Sequence, residues 1–218
     1  MRLGVDEAGK GPVLGSMFAA AVRAEPTALP DGVGDSKTIA PERRETLATE
    51  IRSQADGIGV AEIPVARIDD PETDMNSLTV AAHVEALAAV VEGARDDDTC
   101  VVDAGDANAG RFGRRVANGL DCDLDVAARH GADETDPVVG AASIVAKVAR
   151  DAHVEELAAA YGEEFGGLGS GYPSDPATRE FLRAYVEDRG DLPDCARRSW
   201  QTCADLLAAA DQSSLADF

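Results

Sequence analysis

Apolar residues in this chain recur in two rhythms, short unbroken runs and runs spaced as on one face of a helix, and together they predict an α/β protein. Residues 3–7 and 13–22 read as two strands joined by a glycine-rich turn, close enough to form a hairpin. Residues 26–37, rich in Gly, Pro and Asp, predict a loop, after which Pro41 opens a helix at its first position. That helix carries Leu47, Ile51 and Ala55 at i, i+4, i+8 and stops at Gly57; a third strand follows over 58–65. Asn76 or Ser77 caps a second helix, with Val80, Val84, Leu87 and Val91 as its stripe and Gly93 as its end. Residues 99–103 form a buried strand that ends in Asp103 and runs into the turn 104–108, and 121–128 alternate as a strand exposed on one face. Asp136 and Pro137 then start a helix over 138–160, apolar nearly all round in its first half, with Gly140, Ser143 and Lys147 as a polar strip. Residues 166–173 are a flexible glycine run, Ser174 or Asp175 caps a helix to about 188, and an alanine-rich helix closes the chain after Arg197-Arg198-Ser199-Trp200. Residues 1–165 are thus expected as one α/β domain and 166–218 as a helical appendage of the same unit.

Two of the strands end in carboxylates. Like charges a few ångströms apart raise each other's pKa unless a cation neutralises them, and sites in α/β sheets gather beyond the carboxyl ends of strands. Asp103 is therefore placed where Asp6 and Glu7 could meet it. Successive strand residues point to opposite faces, so Asp6 and Glu7 are expected to converge through a break of the strand at Glu7. The following Gly9-Lys10-Gly11-Pro12 supplies such a break, lets backbone N–H groups approach a ligand, and adds a point charge suited to phosphate. With Asp133, these acids make a set of four oxygen donors of the kind that suits Mg²⁺ or Mn²⁺. Two such ions about 3.5–4 Å apart activate water and stabilise the leaving oxygen of a phosphodiester, without histidine or cysteine. Solvated strand-end acids are the plain alternative. A dinucleotide site at Gly9, Gly11 and Gly15 is excluded by Pro12 and by the two acids ahead of the turn.

Charge changes the picture of the surface. The 218 residues hold 41 Asp and Glu against 20 Lys and Arg, a net charge of −21, and only Lys10, Lys37 and Lys147 are lysines. Many carboxylates with almost no lysine suit a cytoplasm of concentrated salt, where screening suppresses self-repulsion. The three retained lysines all lie in segments marked by glycine or serine, which assigns them a task. Cys100, Cys122, Cys195 and Cys203 show no zinc spacing and read as reduced thiols. No apolar stretch is long enough to span a membrane. His83 and His153 read as ordinary surface or interface residues within helices, and His130, near Asp133, as structural or as a support for that acid in preference to a group that assists proton transfer.

Six motifs occur in one order: Asp6-Glu7-Ala8-Gly9-Lys10-Gly11-Pro12, Asp35-Ser36-Lys37, Val102-Asp103-Ala104, His130-Gly131-Ala132-Asp133, Ala141 to Asp151, and Gly169-Ser170-Gly171-Tyr172-Pro173-Ser174-Asp175. This set resembles ribonuclease HII in its archaeal form, from residue 4 to about 202. The resemblance implies a ribonuclease-H-like five-stranded mixed sheet flanked by helices, with a C-terminal helical segment that helps hold the substrate. It implies endonucleolytic hydrolysis of RNA in RNA/DNA hybrids and at single ribonucleotides in duplex DNA, leaving 5′-phosphate and 3′-hydroxyl ends. Asp6, Glu7, Asp103 and Asp133 match the catalytic acids that hold the metals, Gly9-Lys10-Gly11 the turn that reads the ribose 2′-hydroxyl, and Tyr172 the tyrosine packed on the sugar. Because counterion release fades at high salt, substrate affinity is expected to rest on directed contacts from Lys37, Ser143 and Lys147, with Arg197 or Arg198 as further cations. Lys10 stands where arginine is more usual, which removes bidentate phosphate contact. A monomer in the cytoplasm is expected. A nuclease of the same fold acting on DNA, or a hybrid-binding protein without catalysis, are the open alternatives.

Overall fold

β2 (Met17–Ala24) reads MFAAAVRA and buries all but one of its side chains, as a strand covered on both faces must. It pairs antiparallel with β1 (Arg2–Ala8) from Arg2↔Ala24 to Ala8↔Phe18. On its other side β1 pairs parallel with β4 (Thr99–Asp103), and β4 pairs parallel with β5 (Val126–Arg129). With β3 (Gly57–Ile63) beyond β2, the order is β3-β2-β1-β4-β5, the mixed five-stranded sheet expected from the sequence. The computed structural model describes residues 1–34, 39–92 and 98–216, without the side chains of Glu163, Asp211 and 213–216.

Eight α-helices are described: α1 (Pro41–Gln54), α2 (Val65–Ile68), α3 (Met75–Val91), α4 (Ala109–Asn118), α5 (Ala132–Thr135), α6 (Pro137–Phe165), α7 (Pro176–Arg189) and α8 (Gln201–Ala216). Two compact units result. One comprises Met1–Lys10, Met17–Glu62 and Asp74–Arg150 and contains the sheet; the other comprises Gly11–Ser16, Ile63–Thr73 and Asp151–Phe218. In the first, Leu47, Ala48 and Ile51 of α1 and Val138, Ala141, Ile144 and Val145 of α6 bury Ala20, Val22 and Ala24 of β2. Helix α3 packs on β1 and β2, and α4 on β5.

Glycine sets how closely helices approach this sheet. A Cβ at Gly4 in β1 would lie 2.4 Å from the Val138 carbonyl carbon and 2.5 Å from the Val139 nitrogen, so the first turn of α6 rests on the strand backbone itself. Gly59 does the same for α3, where a Cβ would meet the Ala86 carbonyl oxygen at 2.1 Å.

In the second unit, Val13, Leu14, Leu168, Phe181, Leu182 and Cys203 share a core. Phe165 and Tyr185 pack with tilted rings at 4.8 Å between centroids, with Phe181 beside both.

Several elements differ from the sequence reading. Residues 13–16 are loop, not strand: the Val13 and Leu14 N–H groups both donate to the Gly171 carbonyl, and Gly15 adopts φ +78°. The fifth strand begins only at Val126. Helix α4 was not foreseen. The cap of α3 is Asp74, which accepts from Asn76 N at 2.9 Å and Ser77 N at 3.0 Å, and the helix's buried face is centred on Thr79, Ala82, His83, Ala86 and Leu87, leaving Val84 and Val91 half-buried. The expected stop at Gly93 lies outside the described residues.

The Asp74 carboxyl is held below its usual range, chiefly by the Ser77 hydroxyl and then by the backbone N–H groups it caps. A lowered folded pKa means that this contribution is complete above the unfolded value and is lost as pH falls through the folded one. Asp74→Ala is expected to cost about 1 kcal/mol at neutral pH, the scale of a lost N-cap. Thermal melts of both proteins against pH check it, since the difference should vanish on the acid side.

Candidate functional site

The parallel pairing of β1 with β4 ends at Val5↔Val102, and the next residue on each strand is an aspartate, Asp6 and Asp103. Adjacent parallel strands thus bring two carboxyl groups to one level at the carboxyl end of β4, where α/β sheets place their sites. Asp6 is buried, and its carboxyl is raised well above its usual range, first by loss of water, then by the negative charge of Glu7; Asp103 adds to this, while a hydrogen bond from Ser143 opposes it. The three acids therefore share one field. Asp103 Oδ1 accepts the Ala132 N–H at 2.7 Å, which ties the end of β4 to the residue before Asp133. Asp133 itself is buried on α5.

The strand does not break at Glu7. β1 continues to Ala8 with Asp6, Glu7 and Ala8 all paired to β2, so neighbouring side chains leave on opposite faces. Asp6 is bonded to Ser143 of α6, whereas Glu7 Oε2 lies 2.9 Å from His83 Nε2 of α3. The glycine turn starts one residue later, with Gly9 at φ +87°, a conformation that favours glycine. The Lys10 ammonium donates to the Gly105 carbonyl and, at 3.3 Å, to Asn76 Oδ1, so it straps the turn to the loop after β4.

Among the described residues, no three or more His, Cys, Asp and Glu side chains form a ready cage for a metal ion. The donor chemistry nevertheless fits a hard dication: oxygen only, with one carboxyl destabilised by its charged neighbours. Mg²⁺ in particular keeps several waters and takes one or two carboxylates plus substrate phosphate rather than an all-protein cage. Burial pushes the Cys100 and Cys195 thiols up to about 12 and Cys203 to about 11, which fits their reading as reduced, buried thiols.

Other residues singled out in the sequence fall as follows. Ser143 is buried beside Asp6, and Lys147 is half-buried one turn further along α6. Gly140 is not an open part of their strip, because a Cβ there would meet the Val33 carbonyl oxygen at 2.1 Å. Lys37, with Asp35 and Ser36, lies outside the described residues.

In the second unit the run 166–173 is not slack. Asp175 Oδ2 accepts from Ser170 N and Oγ at 2.6 and 2.7 Å, and Thr178 Oγ1 accepts from Gly171 N while donating to the Leu168 carbonyl. This frame presents Tyr172, 43 % exposed, against Gly11, where a Cβ would sit 3.5 Å from the ring. Trp200 Nε1 donates to the Gly11 carbonyl at 3.4 Å. Arg197 is fully buried under Trp200 and donates to the Gly15 carbonyl at 2.9 Å, so it is a brace for the 11–16 loop rather than a surface cation. Arg198 pairs with Asp191.

His83 is not the surface or interface residue that the sequence suggests. His153 Nε2 accepts the Ser16 N–H at 3.2 Å, and His83 is fully buried against Glu7. The available signal was its setting, since Thr79, Ala82, Ala86 and Leu87 put position 83 on the small, apolar face of α3. His130 is exposed.

A family model for ribonuclease HII matches residues 3–203. Ribonuclease HII of Haloarcula marismortui is 68 % identical over 218 residues, covering all of both chains. Among solved structures, the ribonuclease H2 of Pyrococcus horikoshii OT3 superposes with a TM-score of 0.86 at 34 % identity, covering 97 % of this chain and 99 % of that one. The ribonuclease HII of Archaeoglobus fulgidus, solved in complex with PCNA, gives 0.81 at 36 % identity, covering 94 % and 96 %.

Proposed function

The chain belongs to the ribonuclease HII family and is a ribonuclease of the RNase H type, and from that premise we propose that it hydrolyses the RNA strand of RNA/DNA hybrids and cuts at single ribonucleotides embedded in duplex DNA, leaving 5′-phosphate and 3′-hydroxyl ends. The observation that supports this reading is the parallel pairing of β1 with β4, which brings Asp6 and Asp103 level at the carboxyl end of β4, with the charges of Glu7 and Asp103 both pushing the buried Asp6 carboxyl upward.

Asp6, Glu7, Asp103 and Asp133 are the residues that would hold Mg²⁺ or Mn²⁺. When bound, two such ions supply Lewis acidity for the attack of water on phosphorus and charge for the departing 3′-oxygen. Ser143 orients the Asp6 carboxylate by the hydrogen bond it makes there. Backbone groups of Gly9 and Gly11 read the ribose 2′-hydroxyl, which is both donor and acceptor and distinguishes RNA from DNA. Lys10 fixes that turn through Gly105, Tyr172 packs on the sugar at the junction, and Lys37 and Lys147 contact phosphate. Because counterion release fades at high salt, these few directed contacts carry the affinity of so acidic a protein. The enzyme acts as a cytoplasmic monomer, and, by likeness to the Archaeoglobus fulgidus relative, PCNA is a partner.

The test is a labelled DNA duplex with one ribonucleotide, incubated with Mn²⁺ or Mg²⁺ in molar KCl beside an all-DNA duplex. A single cut next to the ribonucleotide, with the all-DNA duplex intact, is expected. Equal cutting of both points instead to a nuclease for DNA, and binding without cutting to a hybrid-binding protein.

A further inference from the structure

His83 is a buried polar residue that the roles assigned so far leave out. Its ring has no exposure to solvent, and its Nε2 lies 2.9 Å from Glu7 Oε2. A carboxylate only accepts, so Nε2 carries the proton in that contact, and Nδ1 has no hydrogen-bond partner among the described residues. Around it, the ring meets Phe112 of α4 edge-on at 5.0 Å between centroids.

Packing does not account for this choice of side chain. A buried nitrogen without a partner costs free energy, and an apolar side chain of similar shape would fill the same space without that cost. What histidine adds is one N–H aimed at Glu7. The other Glu7 oxygen, Oε1, is bordered by Gly105, where a Cβ would come within 2.9 Å of it. The carboxylate is thus gripped at Oε2, and the residue beside Oε1 is the smallest available.

We propose that His83 is a positioning residue that fixes the Glu7 carboxylate by its Nε2–H and so leaves Oε1 set for a divalent cation. The inference rests on the reading of Glu7 as a metal-holding residue. Groups that orient metal-binding side chains typically govern affinity by about 10- to 100-fold when removed.

The test is Mn²⁺ binding to the metal-free full chain in high salt, by calorimetry, with a thermal melt of each protein. Wild type, Glu7→Gln, His83→Phe, His83→Met and His83→Gln are compared. His83→Phe is expected to weaken Mn²⁺ binding by about tenfold while keeping a cooperative melt, and His83→Gln, whose amide N–H reaches the same place, to restore most of the affinity. Unchanged Mn²⁺ affinity in His83→Phe, with Glu7→Gln weakened, overturns the proposal and leaves the metal reading standing. Binding that Glu7→Gln does not alter overturns the metal reading itself. Should His83→Phe and His83→Met both lose the fold, or Gln fail to restore affinity, His83 is structural and the proposal is wrong.

Discussion

Asp103→Asn is expected to reduce cleavage at a ribonucleotide on the order of 10³-fold, the scale of removing one electrostatic stabiliser of a transition state. The same change should leave the metal-free protein as stable as wild type or more so. Asparagine keeps the oxygen that accepts the Ala132 N–H at 2.7 Å, so the tie from β4 to α5 survives. What disappears is a negative charge that helps to push the Asp6 carboxyl upward. Losing like-charge repulsion favours the fold, while losing the charge disables the chemistry. Initial rates and thermal melts on the same preparations separate the two effects. Retained activity within an order of magnitude of wild type would remove Asp103 from the site.

Gly4→Ala is expected to do the opposite, damaging fold and activity together. The added carbon would stand 2.4 Å from the Val138 backbone, and neither partner is a flexible side chain, so α6 must withdraw by about 1 Å to reach ordinary contact at 3.4 Å. Overpacking of this kind costs about 3 kcal/mol, which lowers the melting temperature by roughly 10 °C in a chain of this size. Helix α6 also carries Ser143, the partner of Asp6, and misplacement by 1 Å at a site costs on the order of 10²-fold in rate. A melt and a rate measured below the new transition check both parts. An unchanged melting temperature would mean that α6 does not rest on β1 as described.

How far the sequence disclosed this arrangement depended on the kind of signal. Strands β1 and β4 were legible because each is a short apolar run closed by acids, and a parallel neighbour relation suffices to bring Asp6 and Asp103 level. The direction of Glu7 was not, because the glycine turn suggested a break one residue too early, and only the pairing of Glu7 with Ala19 shows that it leaves by the other face. Helix α4 escaped notice because its apolar positions are few: Phe112 and Val116 stand among Gly110, Gly113 and three arginines, and Asn108, read as turn, is its cap. Val13 and Leu14 looked like strand since they are buried, but they are buried by the second unit's own core and bonded to Gly171, partners far off in sequence. Arg197 looked like a surface cation for the same reason, as nothing local announces that its guanidinium meets the Gly15 carbonyl.

The most direct measurement is cleavage of the single-ribonucleotide duplex in molar KCl while Mn²⁺ is removed with EDTA and then returned, using wild type and Asp103→Asn side by side. Cutting that stops in EDTA, resumes with Mn²⁺ and stays absent in Asp103→Asn is the expected result, since it ties the reaction to a cation held by these carboxylates. Cutting that persists in EDTA, or that Asp103→Asn performs as wild type does, would contradict it.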